Sequence, residues 1–117
     1  MSGSVLLVED NIIIALEAEE MLAKMGATQV DIASSVAEAL ASIGGHQPDF
    51  AVLDVNLGGE TSFAVASRLQ ELGVPHVFAT GYGEDAAFPP EHAGTPVAKK
   101  PYSVASLQAV VAALAKR

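Results

Sequence analysis

The sequence contains no cysteine and no tryptophan, and only 6 of its 117 residues are Lys or Arg. The absence of cysteine excludes disulfide bonds, thiolate metal sites and a cysteine nucleophile, and it fits a reducing compartment. The 14 acidic residues give a formal net charge of −8. Nucleic acid is therefore a poor direct partner, because its phosphates are bound mainly by Lys and Arg.

Long apolar runs are also absent, since none approaches the roughly 20 residues of a membrane span. The N-terminal stretch "MSGSVLLVED" has no basic region before its short apolar run, which argues against a signal peptide. We therefore expect a cytoplasmic protein without a membrane partner. Half of the residues are apolar, and a length of 117 residues suits one domain, residues 1–117, with a real core.

Short apolar runs alternate with segments of helical periodicity along the chain. Glycine follows the first and third predicted helices, as is typical just past a helix end. Prolines and a glycine between the fourth and fifth strands forbid a long helix there, so we expect a fourth helix that is shortened, disordered or lost. The predicted strands are 4–8, 29–34, 50–54, 76–80 and 96–100; the predicted helices are 11–25, 35–43, 61–72 and one that begins after Ser103.

Strands that alternate with helices predict an α/β fold, a doubly wound parallel sheet with helices on both faces. Ligands of such sheets bind outside the carboxyl ends of the strands. Four of the five predicted strands end in side chains with useful chemistry: Glu9 and Asp10, Asp54, Thr80, and Lys100. Singly, each has an ordinary explanation as a helix-start anion, a turn residue, a strand residue or a solvated surface charge.

Together, these residues point to a cation site. Three carboxylates at one edge of a sheet repel one another and need a positive charge between them. Oxygen ligands favour Mg²⁺; Ca²⁺ has the same ligand type, but the sequence has no EF-hand loop. The histidines are scattered and lack the spacing of a zinc site; they are His46, His76 and His92.

A divalent ion beside Asp54 suggests phosphoryl chemistry. A carboxylate can act as a nucleophile toward phosphorus and form an aspartyl phosphate. The metal and the Lys100 ammonium would stabilise the oxygens of the transferring group. Thr80 would donate its hydroxyl to a phosphoryl oxygen, and Gly81 allows the backbone to approach the same group closely.

The stretches "LLVED", "FAVLDVNL", "FAT" and "KKP" occur in this order, each at the end of a predicted strand. In that order they resemble the receiver domain of bacterial two-component response regulators, across essentially the whole chain. The resemblance implies a five-stranded, flavodoxin-like sheet of order 2-1-3-4-5. It also implies that Asp54 accepts a phosphoryl group from a histidine kinase or a histidine phosphotransferase.

The same resemblance assigns the remaining site residues. It implies that Asp10, Asp54 and the backbone carbonyl of Asn56 bind Mg²⁺, with Glu9 acting mainly through water. It further implies that Lys100 pairs with the phosphoryl oxygens and that the bond before Pro101 is cis.

Three positions depart from the pattern of the family. Val97 stands where receivers usually carry the aromatic residue that swings inward when the threonine engages phosphate. Gly58 stands where a proline is common, which predicts a more mobile loop. The stretch "FATGY", residues 78–82, resembles a subgroup of receivers from general-stress phosphorelays, in which Tyr82 either takes over part of the switch or merely packs on its loop.

The chain ends in "AKR" after its last predicted helix. We therefore expect a stand-alone receiver that acts through a downstream protein partner, or that passes on or drains phosphate, and that is not a conventional enzyme. Two alternatives remain. One is a degenerate receiver that binds proteins without phosphorylation. The other is a Mg²⁺-dependent phosphohydrolase, although "DVN" offers one carboxylate where such enzymes use a second acid.

Overall fold

The computed structural model of the chain describes residues 3–81 and 88–115. Within these residues, five strands alternate with four α-helices, and one 3₁₀ turn lies before the last strand. The elements are β1 (Gly3–Val8), α1 (Ile12–Lys24), β2 (Ala27–Ala33), α2 (Val36–Gly45), β3 (Phe50–Asp54), α3 (Phe63–Leu72), β4 (His76–Thr80), the 3₁₀ turn (Pro90–His92), β5 (Val97–Lys99) and α4 (Val104–Ala115).

The strands form one parallel sheet in the order β2-β1-β3-β4-β5. This confirms the predicted doubly wound fold and the strand order that the family resemblance implies. Every residue of β3 and β4 is buried, because a central parallel strand is covered by helices on both faces. Both strands read in the sequence as continuous apolar runs for that reason.

The sheet separates two apolar cores. Helices α2 and α3 cover one face, called the α2/α3 face below, and α1 and α4 cover the other. Successive residues of a strand point to opposite sides, so Leu53 and Phe78 pack in the first core while Val52 and Val77 pack in the second.

Local sequence signals set most helix ends. Asn11 begins α1, and its Oδ1 accepts hydrogen bonds from the backbone N–H groups of Ile13 and Ile14 at 3.0 and 3.2 Å. Ser35 Oγ accepts from the Glu38 N–H at 3.1 Å at the start of α2. Three predicted bounds were wrong. Helix α3 begins at Phe63, after Ser62 and without a side-chain cap bond, β2 begins at Ala27 and ends at Ala33, and β5 spans only Val97–Lys99.

Helix α2 is also longer than predicted, because it continues through Gly44 and Gly45 instead of ending at residue 43. Neither glycine has a positive φ angle, and the His46 N–H donates to the Ser42 carbonyl at 2.9 Å, which closes the last turn. Glycine weakens a helix interior but does not end a helix unless the backbone turns left-handed.

Within the described residues between β4 and β5, the only helical structure is the short turn Pro90–His92. This agrees with the predicted shortening of the fourth helix. Tyr82 lies outside the described residues, so the prediction made for it stays a prediction. None of the helices in the described ranges is long and apolar enough to cross a membrane.

Candidate functional site

Three carboxylates meet at the carboxyl edge of the sheet. Glu9, Asp10 and Asp54 each place an oxygen within 4.8 Å of the others. The parallel register explains this: Val8 of β1 is paired with Leu53 of β3, so the residues that follow come side by side. Glu9 and Asp54 are buried, with exposed fractions of 1% and 2%, whereas Asp10 is exposed at the mouth of the site.

Lys100 supplies the positive charge inside the cluster. Its Nζ donates to Glu9 Oε1 and to Asp54 Oδ2, each at 3.0 Å. The backbone directs it there, because the Lys100 N–H donates to the Thr80 carbonyl at 2.7 Å and extends the pairing of β4 with β5. The bond between Lys100 and Pro101 is cis, as the family resemblance implied.

The electrostatics of the site favour a further cation. Burial, the largest cause, and the neighbouring Glu9 together raise the pKa of Asp54 to about 7, against the opposing effect of Lys100. Burial lowers the pKa of Lys100, but its hydrogen bonds to Glu9 and Asp54 outweigh this and leave it raised. The ammonium therefore stays charged and is shared by two buried acids, which leaves negative charge for a metal ion to balance.

The acids differ in how free their oxygens are. Glu9 accepts from Lys100 with Oε1 and from the Asn11 backbone N–H with Oε2 at 3.2 Å, so both of its oxygens are engaged. Asp54 Oδ1 is buried and has no hydrogen-bond partner among the described residues. Direct metal ligation therefore suits Asp10 and Asp54 better than Glu9.

The loop after β3 completes the pocket, which has a volume of about 290 Å³ and is lined by Asn56 and Gly58 as well as by the acids. Asn56 Oδ1 accepts from the Gly58 N–H at 3.2 Å. Gly58 has a φ of +67°, and a Cβ atom there would lie 3.2 Å from Asp10 Oδ2. Proline, whose φ is fixed near −65°, cannot adopt this conformation.

Thr80 ends the neighbouring strand with its hydroxyl unused. The side chain is 3% exposed, and Oγ1 has no partner among the described residues. A buried polar group without a partner costs about 1–3 kcal/mol, so such a group marks a place where a ligand or a rearrangement can supply one. Gly81 follows it and is half-buried.

Residues 5–112 match the response regulator receiver domain family. The chain belongs to that family. The solution structure of SdrG from Sphingomonas melonis Fr1 is 39% identical, with a TM-score of 0.83, and the match covers 96% of this receiver and 95% of that chain. The BeF3-activated conformation of SdrG, from Pseudomonas melonis Fr1, is also 39% identical, with a TM-score of 0.78 and coverages of 95% and 94%.

A CheY-like response regulator receiver domain from Methylobacillus flagellatus is 24% identical to this receiver, with a TM-score of 0.80 and coverages of 97% and 99%. At that identity the likeness shows the fold alone. Among curated proteins, none matches the chain. The family is a signalling family of two-component systems, and its members typically bind Mg²⁺ at an acidic pocket.

Sequence reasoning missed Tyr102, which directly follows Lys100 and Pro101 in this receiver. The ring is 7% exposed in the core between α1 and α4, and its hydroxyl is buried without a partner among the described residues. Burial raises the pKa of Tyr102, and the charges of Glu9 and Asp54 raise it further. An aromatic residue two positions after a strand-end lysine was the available signal.

Proposed function

We propose that this chain is a stand-alone receiver that accepts a phosphoryl group on Asp54 from a histidine kinase or a histidine phosphotransferase. The observation that carries the proposal is the environment of Asp54: a buried carboxylate with one oxygen held by Lys100 and the other, Oδ1, without a partner in the part of the chain that the structure describes. In the proposed reaction an oxygen of Asp54 attacks phosphorus as the bond from phosphorus to the histidine nitrogen breaks. The imidazole leaves and takes up a proton.

Mg²⁺ fits the oxygen donors that the pocket offers, and Asp10, Asp54 and the Asn56 carbonyl would hold it, with Glu9 acting through water. When bound, it supplies positive charge beside the transferring phosphoryl group. Lys100 stabilises the same oxygens from the β5 side. The protein itself thus provides a nucleophile, an ammonium and an ordered pocket, and as a signalling domain it catalyses only its own phosphorylation and dephosphorylation.

Thr80 and Gly81 act after transfer. A phosphoryl group adds about −1.5 to −2 charges to Asp54, and the Thr80 hydroxyl, which is buried without a partner among the described residues, donates to it. The Gly81 N–H donates to the same group. As these bonds form, the end of β4 moves toward Asp54, and its movement changes the surface that a downstream protein partner recognises. We place the chain in the "FATGY" subgroup of general-stress phosphorelays on its motif and on Val97, with Tyr82 as a candidate second switch residue.

The phosphodonor docks beside the acid pocket, on the first turns of α1. Ile12, Ile13 and Leu16 are 60%, 67% and 52% exposed, and Asn11, immediately before them, lines the pocket. Adjacent exposed apolar side chains mark an interaction surface when they cluster. Ile13→Glu should slow transfer from a phosphorylated histidine protein and leave phosphorylation by a small phosphodonor unchanged.

The experiment that tests the function is intact-protein mass spectrometry after incubation with a small phosphodonor, with and without Mg²⁺. We expect the wild type to gain one phosphoryl group only with Mg²⁺, and Asp54→Asn to gain none. No gain by the wild type from either a small donor or a phosphorylated histidine protein would overturn the proposal in favour of a degenerate receiver. Repeated turnover of a phosphomonoester would favour a phosphohydrolase instead.

A further inference from the structure

Residues 88–93 form a strap that covers the α2/α3 face between β4 and β5, where the turn Pro90–His92 is the only helical structure among the described residues. Two of its rings point inward. Phe88 packs on Phe78 and Phe63, with ring centroids 5.2 and 5.7 Å apart. His92 is 1% exposed and stacks on Phe63 at 6.0 Å with an interplanar angle of 16°. The prolines of the strap prevent a long helix, so these two rings close the core instead.

One side-chain hydrogen bond ties the His92 ring to the body of the domain. His92 Nε2 lies 3.1 Å from Ser67 Oγ on α3. The other ring nitrogen, Nδ1, is buried and has no partner among the described residues. Because burying an unpaired polar atom costs free energy, this nitrogen destabilises the packing of the strap on the α2/α3 face. Among the described residues, the strap is held by ring packing, by this imidazole–hydroxyl bond and by a longer bond in which Gln70 Nε2 of α3 donates to the Glu91 carbonyl at 3.5 Å, against one unsatisfied nitrogen.

The strap lies on the side of the sheet that Thr80 faces. Phe78 and Thr80 are two residues apart on β4, so their side chains point to the same face. Phe88 lies across Phe78, and a displacement of the end of β4 toward Asp54 therefore moves the surface on which the strap rests. Val97, at the position that usually carries the inward-swinging aromatic, is 38% exposed.

We propose that the bond between Ser67 and His92 is a latch that holds the strap closed, and that phosphorylation of Asp54 favours its opening. Opening uncovers the rings of Phe63 and Phe78, which Phe88 and His92 cover in the closed strap. This inference rests on the proposed function, because it couples the latch to phosphorylation. Coupling between two sites is reciprocal, so a change that loosens the latch raises the phosphorylated fraction of Asp54, and a change that tightens it lowers that fraction.

Two substitutions remove the latch bond but change the stability of the closed strap in opposite directions, because only one of them also removes the unpaired Nδ1. Ser67→Ala removes the partner of Nε2 and leaves the imidazole with two buried, unpaired nitrogens. His92→Phe keeps a ring of similar shape and removes both nitrogens, while the half-buried Ser67 hydroxyl can turn to water. Ser42→Ala is the matched control, a half-buried serine on the neighbouring helix α2.

Hydrogen exchange reports the strap directly. The N–H groups of His92, Ala93 and Thr95 donate to carbonyls within the turn at 2.9, 3.3 and 3.1 Å. We expect their exchange to be about three- to tenfold faster in Ser67→Ala, slower in His92→Phe and unchanged in Ser42→Ala. Unchanged exchange rates in both Ser67→Ala and His92→Phe would overturn the proposal that the Ser67–His92 bond controls the closed strap.

Phosphorylation reports the coupling, which a purely structural bond would not affect. With a small phosphodonor and Mg²⁺, the ratio of phosphorylated to free protein should rise about three- to tenfold in Ser67→Ala and fall by a similar factor in His92→Phe. Equal ratios in the wild type and both variants would overturn the coupling alone. A wild type that gains no phosphoryl group would overturn the proposed function and the coupling together, so the two failures are distinguishable.

Discussion

Lys100 Nζ and Asp54 Oδ2 lie 3.0 Å apart although the two residues are separated by 46 positions in the sequence. The same ammonium lies 3.0 Å from Glu9 Oε1. One cation thus serves two buried carboxylates, and within residues 3–81 and 88–115 neither acid has a cation of its own. In the absence of metal, the pocket carries more negative than positive charge. The protonation of its acids, the stability of the protein and its affinity for a metal ion therefore depend on one another.

The stability of the metal-free protein should depend on pH through Asp54. Its pKa is raised to about 7 from an ordinary 3.8. Because the folded-state pKa is the higher one, the stability associated with this group is present below pH of about 4 and is lost as pH rises to about 7. The Asp54→Asn variant has no carboxylate to ionise at this position. Its free energy of unfolding at neutral pH should therefore exceed that of the wild type by roughly 1–4 kcal/mol. Urea unfolding with a chelator at acidic and neutral pH measures the difference, and a gap that does not shrink in acid would contradict the prediction.

Mg²⁺ should stabilise the wild type by mass action. At a free concentration about 100 times the Kd, the gain is about 2.7 kcal/mol. The Asp10→Asn variant should lose most of this Mg²⁺-dependent stabilisation. Because Asp10 is exposed, the variant should still fold. Thermal unfolding against Mg²⁺ concentration tests this, with Glu17→Gln, which removes an exposed carboxylate from α1, as the control. An equal shift in all three proteins would point to non-specific binding.

Lys100→Met should destabilise the metal-free protein by roughly 1–3 kcal/mol, because two buried carboxylates lose their only close cation among the described residues. Since Mg²⁺ brings the missing positive charge, it should recover more stability in this variant than in the wild type. Phosphorylation should still fall strongly, because the ammonium that stabilises the phosphoryl oxygens is gone. Full phosphorylation in Lys100→Met would rule out that role.

Gly58→Ala should cost about 1 kcal/mol, because the residue adopts φ +67° and an L side chain is disfavoured there. It should also weaken Mg²⁺ binding, since the new methyl group would crowd Asp10 Oδ2 at 3.2 Å. Gly44→Ala is the matched control: it lies in helix α2 with nothing within 4 Å of an added Cβ. The Gly44→Ala variant should be more stable than the wild type by about 0.5–1 kcal/mol and should bind Mg²⁺ normally. Similar stability and Mg²⁺ binding in the two variants would contradict the geometry described for the loop at Gly58.

Sequence signals predicted the elements well where burial is complete. The strand predicted at 76–80 was confirmed residue for residue, because a central parallel strand leaves an unbroken apolar run. The predicted end of α2 at residue 43 was wrong, since a glycine's backbone conformation depends on its neighbours and not on its identity alone. Tyr102 was missed because its position two residues after the strand-end Lys100 was the available signal, whereas the burial of its ring in the core depends on tertiary packing.

The order of the chemical groups along the chain was determined by the sequence itself: acids after the first strand, an aspartate, a threonine and a lysine at later strand ends. Parallel pairing brings strand ends together, so their convergence could be predicted from topology alone. Only the tertiary structure decided that one ammonium bridges Glu9 and Asp54, that Gly58 closes on Asp10, and that Ser67 of α3 holds His92 of the strap. Such contacts join residues far apart in the chain, and their distances depend on how the sheet and helices pack.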